Sequence, residues 1–297
     1  LSFLCGDAGP LALSAVLFAT IGDESASRKS VDRLISSADY VMGSDTPDEL
    51  LFGRAGYLYS LFFLNKYLDP ATVDNRLIDR IIDRIIESGK RLAKDKRFRD
   101  KTPLMFEWHD SFYLGAAHGV SGILFLLMRT HRFEGDAQVR HLVEGTLNYL
   151  LTLQFDSGNF PSSMGSGRDR LVHWCHGAPG FIHMWSQAYQ KFGDPRFFTA
   201  ANDCGEVIWR RGLLRKGYGI CHGVAGNAYG MLTLWQLTQD PKWLYRTCKF
   251  TEWILDYGKH GCGPADRPYS LFEGLAGTVY FLVDFLNPAQ AQFPAFY

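Results

Sequence analysis

The chain holds 297 residues, 46% of them hydrophobic, and its 31 Lys plus Arg are balanced by 31 Asp plus Glu. A formal charge of zero removes the basic footprint of a nucleic-acid binder, and apolar runs such as "LALSAVLFATIG" at 11–22 fall short of the roughly 20 residues a membrane-spanning helix needs. The six cysteines (Cys5, Cys175, Cys204, Cys221, Cys248, Cys262) are too sparse for a disulfide framework, so free thiols in a cytoplasmic protein are expected, with membrane contact peripheral at most.

In chain order, the opening "LSFLCGDAGP" has no basic stretch ahead of an apolar run and does not read as a secretory signal. It carries the first copy of a pattern, Gly-x-x-Gly followed by an apolar segment, that recurs at Gly6/Gly9, Gly53/Gly56, Gly119/Gly122, Gly177/Gly180, Gly223/Gly226 and Gly274/Gly277. Successive first glycines are 47, 66, 58, 46 and 51 residues apart, a period that suits one helical hairpin per repeat. The segments after the glycines, "YLYSLFFLNKYL", "ILFLLMRTH", "FIHMWSQAY", "NAYGMLTLWQL" and "TVYFLVDFL", are apolar nearly all round and predict inner helices buried on more than one side. Between them lie amphipathic stretches. In "RLIDRIIDRIIESGKRL", Leu77/Ile78, Ile81/Ile82 and Ile85/Ile86 return every four residues with charges between, which predicts an outer helix with one apolar stripe. The fold class expected is all-α, a single α/α toroid of helical hairpins over 1–297, with the outer helix of the opening repeat outside the chain. The glycines would let the inner helices start close against their neighbours and tolerate unusual φ at the corner.

Aligning the motifs on their first glycine places Cys5, Phe52, His118, His176, His222 and Glu273 at one equivalent position, with Cys175 and Cys221 one residue earlier in two repeats. In a closed toroid these positions would share one mouth. Two thiolates and an imidazole from Cys175, Cys221 and His222 make a three-ligand zinc site with one open position, for which His176 and His173 compete as the imidazole. His118, in "GAAHGVSG", is a candidate general acid or base or else a hydrogen-bonded core histidine. Glu273 could orient a ligand, or favour the helix dipole. Of the basic residues in "RRGLLRKGYG", Lys216 stands nearest the second "CHG" and suits a substrate carboxylate or phosphate, while Arg210 and Arg211 read as a solvated loop. The segment "HGCGPADRPYSLFEG" is a Gly/Pro-rich loop that would overhang the same mouth, and its Cys262 reads as a free thiol.

The stretches "LCGDAGPLAL", "GRAGYLYSLFFLNK", "GAAHGVSGI", "LVHWCHGAPG", "GYGICHGVAGN" and "SLFEGLAGTVYFL" together resemble the eukaryotic LanC-like proteins, relatives of the bacterial cyclases that build thioether rings in lanthipeptides. That resemblance implies an α/α toroid around one zinc, with Cys175, Cys221 and His222 as its ligands and His118 as the acid/base residue. It implies glutathione as ligand or co-substrate, held by Lys216 and by Gly263, Pro264, Ala265 and Asp266. Where a basic residue is expected directly after Cys262, this chain has Gly263; Arg267 is the next basic residue downstream. The implied chemistry is addition of the glutathione thiolate to dehydroalanine or dehydrobutyrine residues of proteins or peptides, with elimination of phosphate from phosphoserine or phosphothreonine as a source of that electrophile. A second reading uses the same residues without turnover, in a glutathione-binding zinc adaptor or redox signalling protein.

Overall fold

The computed structural model describes residues 1–95 and 97–297, and among these the secondary structure is helical apart from isolated bridge residues, among them the pair Trp108 and Ser111. The helices expected to be inner start where the glycine motifs stand: α1 (Ala8–Thr20), α4 (Arg54–Tyr67), α6 (Val120–Leu127), α9 (Ala178–Phe192), α11 (Val224–Thr238) and α13 (Leu275–Asp284). Burial on more than one side holds for α4, α6, α9 and α11 but not for α13, which buries Gly277, Thr278 and Phe281 and leaves Val279, Tyr280 and Val283 exposed, nor for α1, where Leu13 and Leu17 are exposed. In five of the six the residue before the helix is the first glycine of a motif, Gly53, Gly119, Gly177, Gly223 and Gly274. Outer helices alternate with them: α2 (Glu24–Ser36), α5 (Asn75–Ala93), α8 (Ala137–Leu151), α10 (Pro195–Arg211) and α12 (Pro241–Leu255), with short α3 (Ala38–Val41) and α7 (His131–Gly135) as links. The amphipathic reading of α5 holds, since Ile78, Ile81, Ile82, Ile85 and Ile86 are buried along one stripe.

The glycines work differently from the expectation. Unusual φ is confined to Gly177, at 106°; the other four helix-starting glycines are extended, with φ between −107° and −128°. Both glycines of the motif must lack a side chain: a Cβ on Gly53, Gly177, Gly223 or Gly274 would stand 2.2 to 2.5 Å from a backbone atom of the entering loop, and the second glycine is tighter still. A Cβ on Gly56, Gly180, Gly226 or Gly277 would stand 1.8 to 2.1 Å from the carbonyl oxygen six residues earlier, on Leu50, Trp174, Ile220 and Leu271, and Gly9 meets Phe3 in the same way. The close neighbour is therefore first the helix's own entering loop, which folds back over the first turn.

Each outer helix starts on an aspartate. Asp23, Asp74, Asp136, Asp194 and Asp240 accept hydrogen bonds from the backbone N–H groups of Ala26, Arg76, Gln138, Arg196 and Lys242. These satisfy donors that the first helical turn leaves without partners.

The chain divides into two compact units, residues 1–113 with 118–149, and residues 114–117 with 150–297. In the first, α1 packs on α2 and α4, and α4 on α5 and α6; in the second, α9 packs on α10 and α11, and α11 on α12 and α13. No described helix is long and apolar enough to cross a membrane.

Candidate metal and thiol site

In the second unit the loops entering α9 and α11 carry "WCHG" and "ICHG". The Cys175 N–H donates to the Cys221 carbonyl (3.3 Å), while the N–H groups of Ile220 and Cys221 both donate to the Phe272 carbonyl of the loop entering α13 (2.9 and 2.7 Å). Gly115 lies so near this lacework that a Cβ there would fall 2.1 Å from the Cys175 carbonyl. Thus three loops of equivalent position are tied edge to edge by their backbones, which fixes where their side chains emerge.

The result is that one donor atom each from Cys175, Cys221 and His222 lies within 4.8 Å of the others. Tetrahedral zinc, with bonds of about 2.3 Å to sulfur and about 2.0 Å to nitrogen, holds such atoms roughly 3.5–3.8 Å apart; two thiols and an imidazole are ligands of the kind zinc takes, and separations within 4.8 Å leave room for that spacing. His173 and His176 stay outside the trio: their backbones bond reciprocally in a tight turn, and the His173 ring centroid is 6.0 Å from that of His222. The two thiols hydrogen-bond to each other. A hydrogen bond from Cys221 holds Cys175 well below the ordinary thiol range, against its burial and with help from His173 and His222; the same bond, together with burial, pushes Cys221 up. Glu273 raises Cys221 further by its charge and Lys216 lowers it, which places both charges within reach of the thiols.

Lys216 is exposed. Beside it, Cys262 Sγ lies 3.7 Å from the Leu214 carbonyl, and the Gly263 N–H donates to the Arg215 carbonyl at 3.4 Å. The start of the 263–266 loop thus meets the segment that carries Lys216. Gly263, Pro264 and Asp266 are exposed and Ala265 is half-buried, as is Cys262, one of six free thiols. The solvated-loop reading fails for Arg211. It ends α10 and forms an ion pair with Asp169 (2.9 Å), which also accepts from Asn159. Arg210, also on α10, is exposed.

In the first unit His118 is neither isolated nor fully buried. Its Nδ1–H donates to Glu49 at 2.6 Å, and the side chains are 21% and 2% exposed. The Glu49 carboxylate also accepts the N–H groups of Leu51 and Phe52, so its position is set by the loop entering α4. Arg54, buried in the first turn of α4, secures that loop through the Val41 and Gly43 carbonyls and Asp48. Glu49 was not anticipated; its signal is a carboxylate four residues ahead of the motif glycine in "ELLFG". Phe52, the ring-position residue of the preceding repeat, lies parallel to the His118 ring at 6.1 Å, and Trp108 at 6.3 Å. Trp108 is presented by a two-residue turn in which His109 and Asp110 have φ of 47° and 57°. A hollow of ≈ 880 Å³ in the same unit, lined by Arg28, Asp32, Tyr67 and Asp69 among others, contains none of these residues.

The model for lanthionine synthetase C-like proteins matches residues 1–297, and the chain belongs to that family. It is 50% identical over 297 residues to the zebrafish (Danio rerio) protein named glutathione S-transferase LANCL1, covering 99% of this chain and 73% of that one. It is 35% identical over 309 residues to the Arabidopsis thaliana LanC-like protein GCL1, covering 99% and 70%. Among solved structures, nisin cyclase superposes with a TM-score of 0.58 at 15% identity, over 99% of this chain and 90% of the cyclase. That likeness shows the fold, the all-α toroid class expected from the repeats.

Proposed function

We propose that this protein is a zinc-dependent transferase that adds the thiol of glutathione to dehydroalanine or dehydrobutyrine residues of proteins or peptides. The observation that carries the reading is the cluster of two thiols and one imidazole, Cys175, Cys221 and His222, within 4.8 Å of one another. The zebrafish relative's name, glutathione S-transferase, supports the transferase class. Cys175, Cys221 and His222 would hold the zinc, which would supply a Lewis acid able to lower the pKa of a thiol at its open position.

The chain's own residues divide the remaining work. Lys216 offers its ammonium to a glutathione carboxylate, and residues 263–266, seated beside it, form the wall of that subsite. When the thiolate sulfur bonds to the acceptor's β-carbon, the C=C electron pair moves to the α-carbon as an enolate, which takes one proton. His118 is the donor in this reading: Glu49 holds the proton on Nδ1, so Nε2 is the nitrogen whose protonation changes.

The test is mass spectrometry of a dehydroalanine peptide incubated with the protein, glutathione and stoichiometric zinc. An enzyme-dependent adduct of one glutathione, lost in His118→Ala while zinc and glutathione binding persist, is the expected result. No adduct with the unmodified, zinc-loaded protein would overturn the transferase reading and leave a glutathione-binding adaptor. Lys216→Ala is expected to weaken glutathione binding with zinc retained; unchanged affinity would return Lys216 to a solvent-facing role.

A further inference from the structure

The last residues, "PAQAQFPAFY" at 288–297, have no helical period and two prolines, and chain ends of this kind are poorly ordered unless tied down. Here the end is tied down. Gln236 of α11 donates to the carbonyls of Pro288 and Ala291, both at 2.8 Å, and the Gln292 N–H donates to Asp284 of α13, which also accepts from the Tyr229 hydroxyl. A turn follows, closed by the Phe296 N–H on the Phe293 carbonyl, with Ala295 at φ 58°. It carries both aromatic rings inward, leaving Phe293 3% and Phe296 2% exposed.

Those rings meet the residues next to the thiols. Phe293 stacks on Trp174 with centroids 5.0 Å apart and planes at 23°, and Phe296 meets the same indole at 5.6 Å and 85°. Phe293 also approaches Phe272 at 6.2 Å, and Phe272 touches Trp174 at 5.4 Å. Trp174 directly precedes Cys175, and the Phe272 carbonyl is the one that accepts the Cys221 N–H. A continuous line of contact thus runs from the chain end through Trp174 to Cys175, and through Phe272 to Cys221.

We propose that Phe293 and Phe296 are positioning residues for the thiol pair: the C-terminal segment is the floor on which the Cys175 and Cys221 loops rest, and it sets their affinity for zinc. The proposal rests on the zinc reading above. Neither phenyl ring ligates anything; each acts by fixing an aromatic side chain whose backbone carries or holds a ligand. A metal site depends on ligand positions to within about 0.5 Å, and loss of outer partners that orient ligands typically weakens metal binding 10–100-fold.

Zinc titration of the full chain against a chromophoric chelator tests this, together with the visible spectrum of the cobalt(II)-loaded protein. Phe293→Ala and Phe296→Ala are each expected to weaken zinc binding at least tenfold and to alter the cobalt–thiolate bands, with Phe293→Leu restoring part of the affinity. The control is Phe197→Ala: this ring is equally buried but stacks on Trp185 and meets Phe192 edge-on toward the far end of α9. It is expected to lower the melting temperature comparably and leave zinc affinity unchanged. Should all three alanine variants lose zinc affinity in step with melting temperature, or should none lose it, the positioning role is wrong. If Phe293→Ala fails to fold, Phe293→Leu decides alone: zinc affinity and cobalt bands identical to the unmodified protein would overturn the proposal. Unmodified protein that takes up no zinc would overturn the zinc reading itself.

Discussion

His118 illustrates what a single residue gains from its surroundings. Its place ahead of a motif glycine made it a candidate, but the partner that gives it a defined tautomer, Glu49, lies 69 residues away in sequence and outside the glycine register. No periodicity points to such a pair, because it is created by two loops meeting. If Glu49 fixes the imidazole for proton transfer, Glu49→Gln should lower turnover by about 10²-fold or more while zinc and glutathione binding stay intact, which steady-state kinetics beside binding titrations would show. His183 offers a second measurement. It is enclosed by Phe293, Phe296 and Thr233, and burial pushes its pKa down to about 3. The unfolded chain, with a histidine pKa of about 6.5, takes up a proton in a window where the folded chain does not. Stability is therefore expected to fall as pH drops from about 6.5 toward 3, by at most about 1.4 kcal/mol per pH unit from this group. Chemical denaturation at several pH values should show a shallower slope for His183→Gln.

At the scale of elements, helix starts were legible on one side of each hairpin and overlooked on the other. The glycine motifs announced the inner helices because they repeat; the outer helices announce themselves as well, through an aspartate before each, in two cases as Asp-Pro at 194–195 and 240–241. An aspartate is common enough to pass unnoticed until the helices are laid side by side. Replacing Asp194 or Asp240 with alanine should cost about 1 kcal/mol each. Gly226→Ala should cost more, about 3 kcal/mol or above, since its Cβ would lie 1.8 Å from the Ile220 carbonyl and something must shift. Urea denaturation of the three variants ranks them directly. The segment 288–297 carried no such signal: it is aperiodic and holds two prolines, and only the aromatic surfaces that receive Phe293 and Phe296 give it a place.

For the molecule as a whole, fold class and family were written in the repeat, because six copies at similar spacing leave little besides stacked helical hairpins to build. The division into two compact units was not legible, since the same glycine motif recurs on both sides of residue 149. A ligand that binds only the folded chain adds stability by mass action, about 2.7 kcal/mol at a hundred times its Kd. The three candidate ligands come from loops 46 residues apart and cannot converge in an unfolded chain. Added zinc is thus expected to raise the melting temperature and a chelator to lower it, whereas Cys221→Ala should lose stoichiometric zinc and answer to neither. Thermal scans with metal analysis check this, and a full metal complement in that variant would remove the site.

The six-residue clasp between a loop carbonyl and the second motif glycine has a consequence for how such a chain can change in length. From Leu50 to Gly56, Trp174 to Gly180, Ile220 to Gly226 and Leu271 to Gly277 the count is constant, while the distance between successive motifs varies from 46 to 66 residues. Insertions have accumulated only outside the clasps. A designer wishing to graft a new loop onto this scaffold has open ground in the connections between hairpins and none in the half-dozen residues ahead of each inner helix, where one added residue would unlatch the carbonyl and turn the ligand-bearing side chains away.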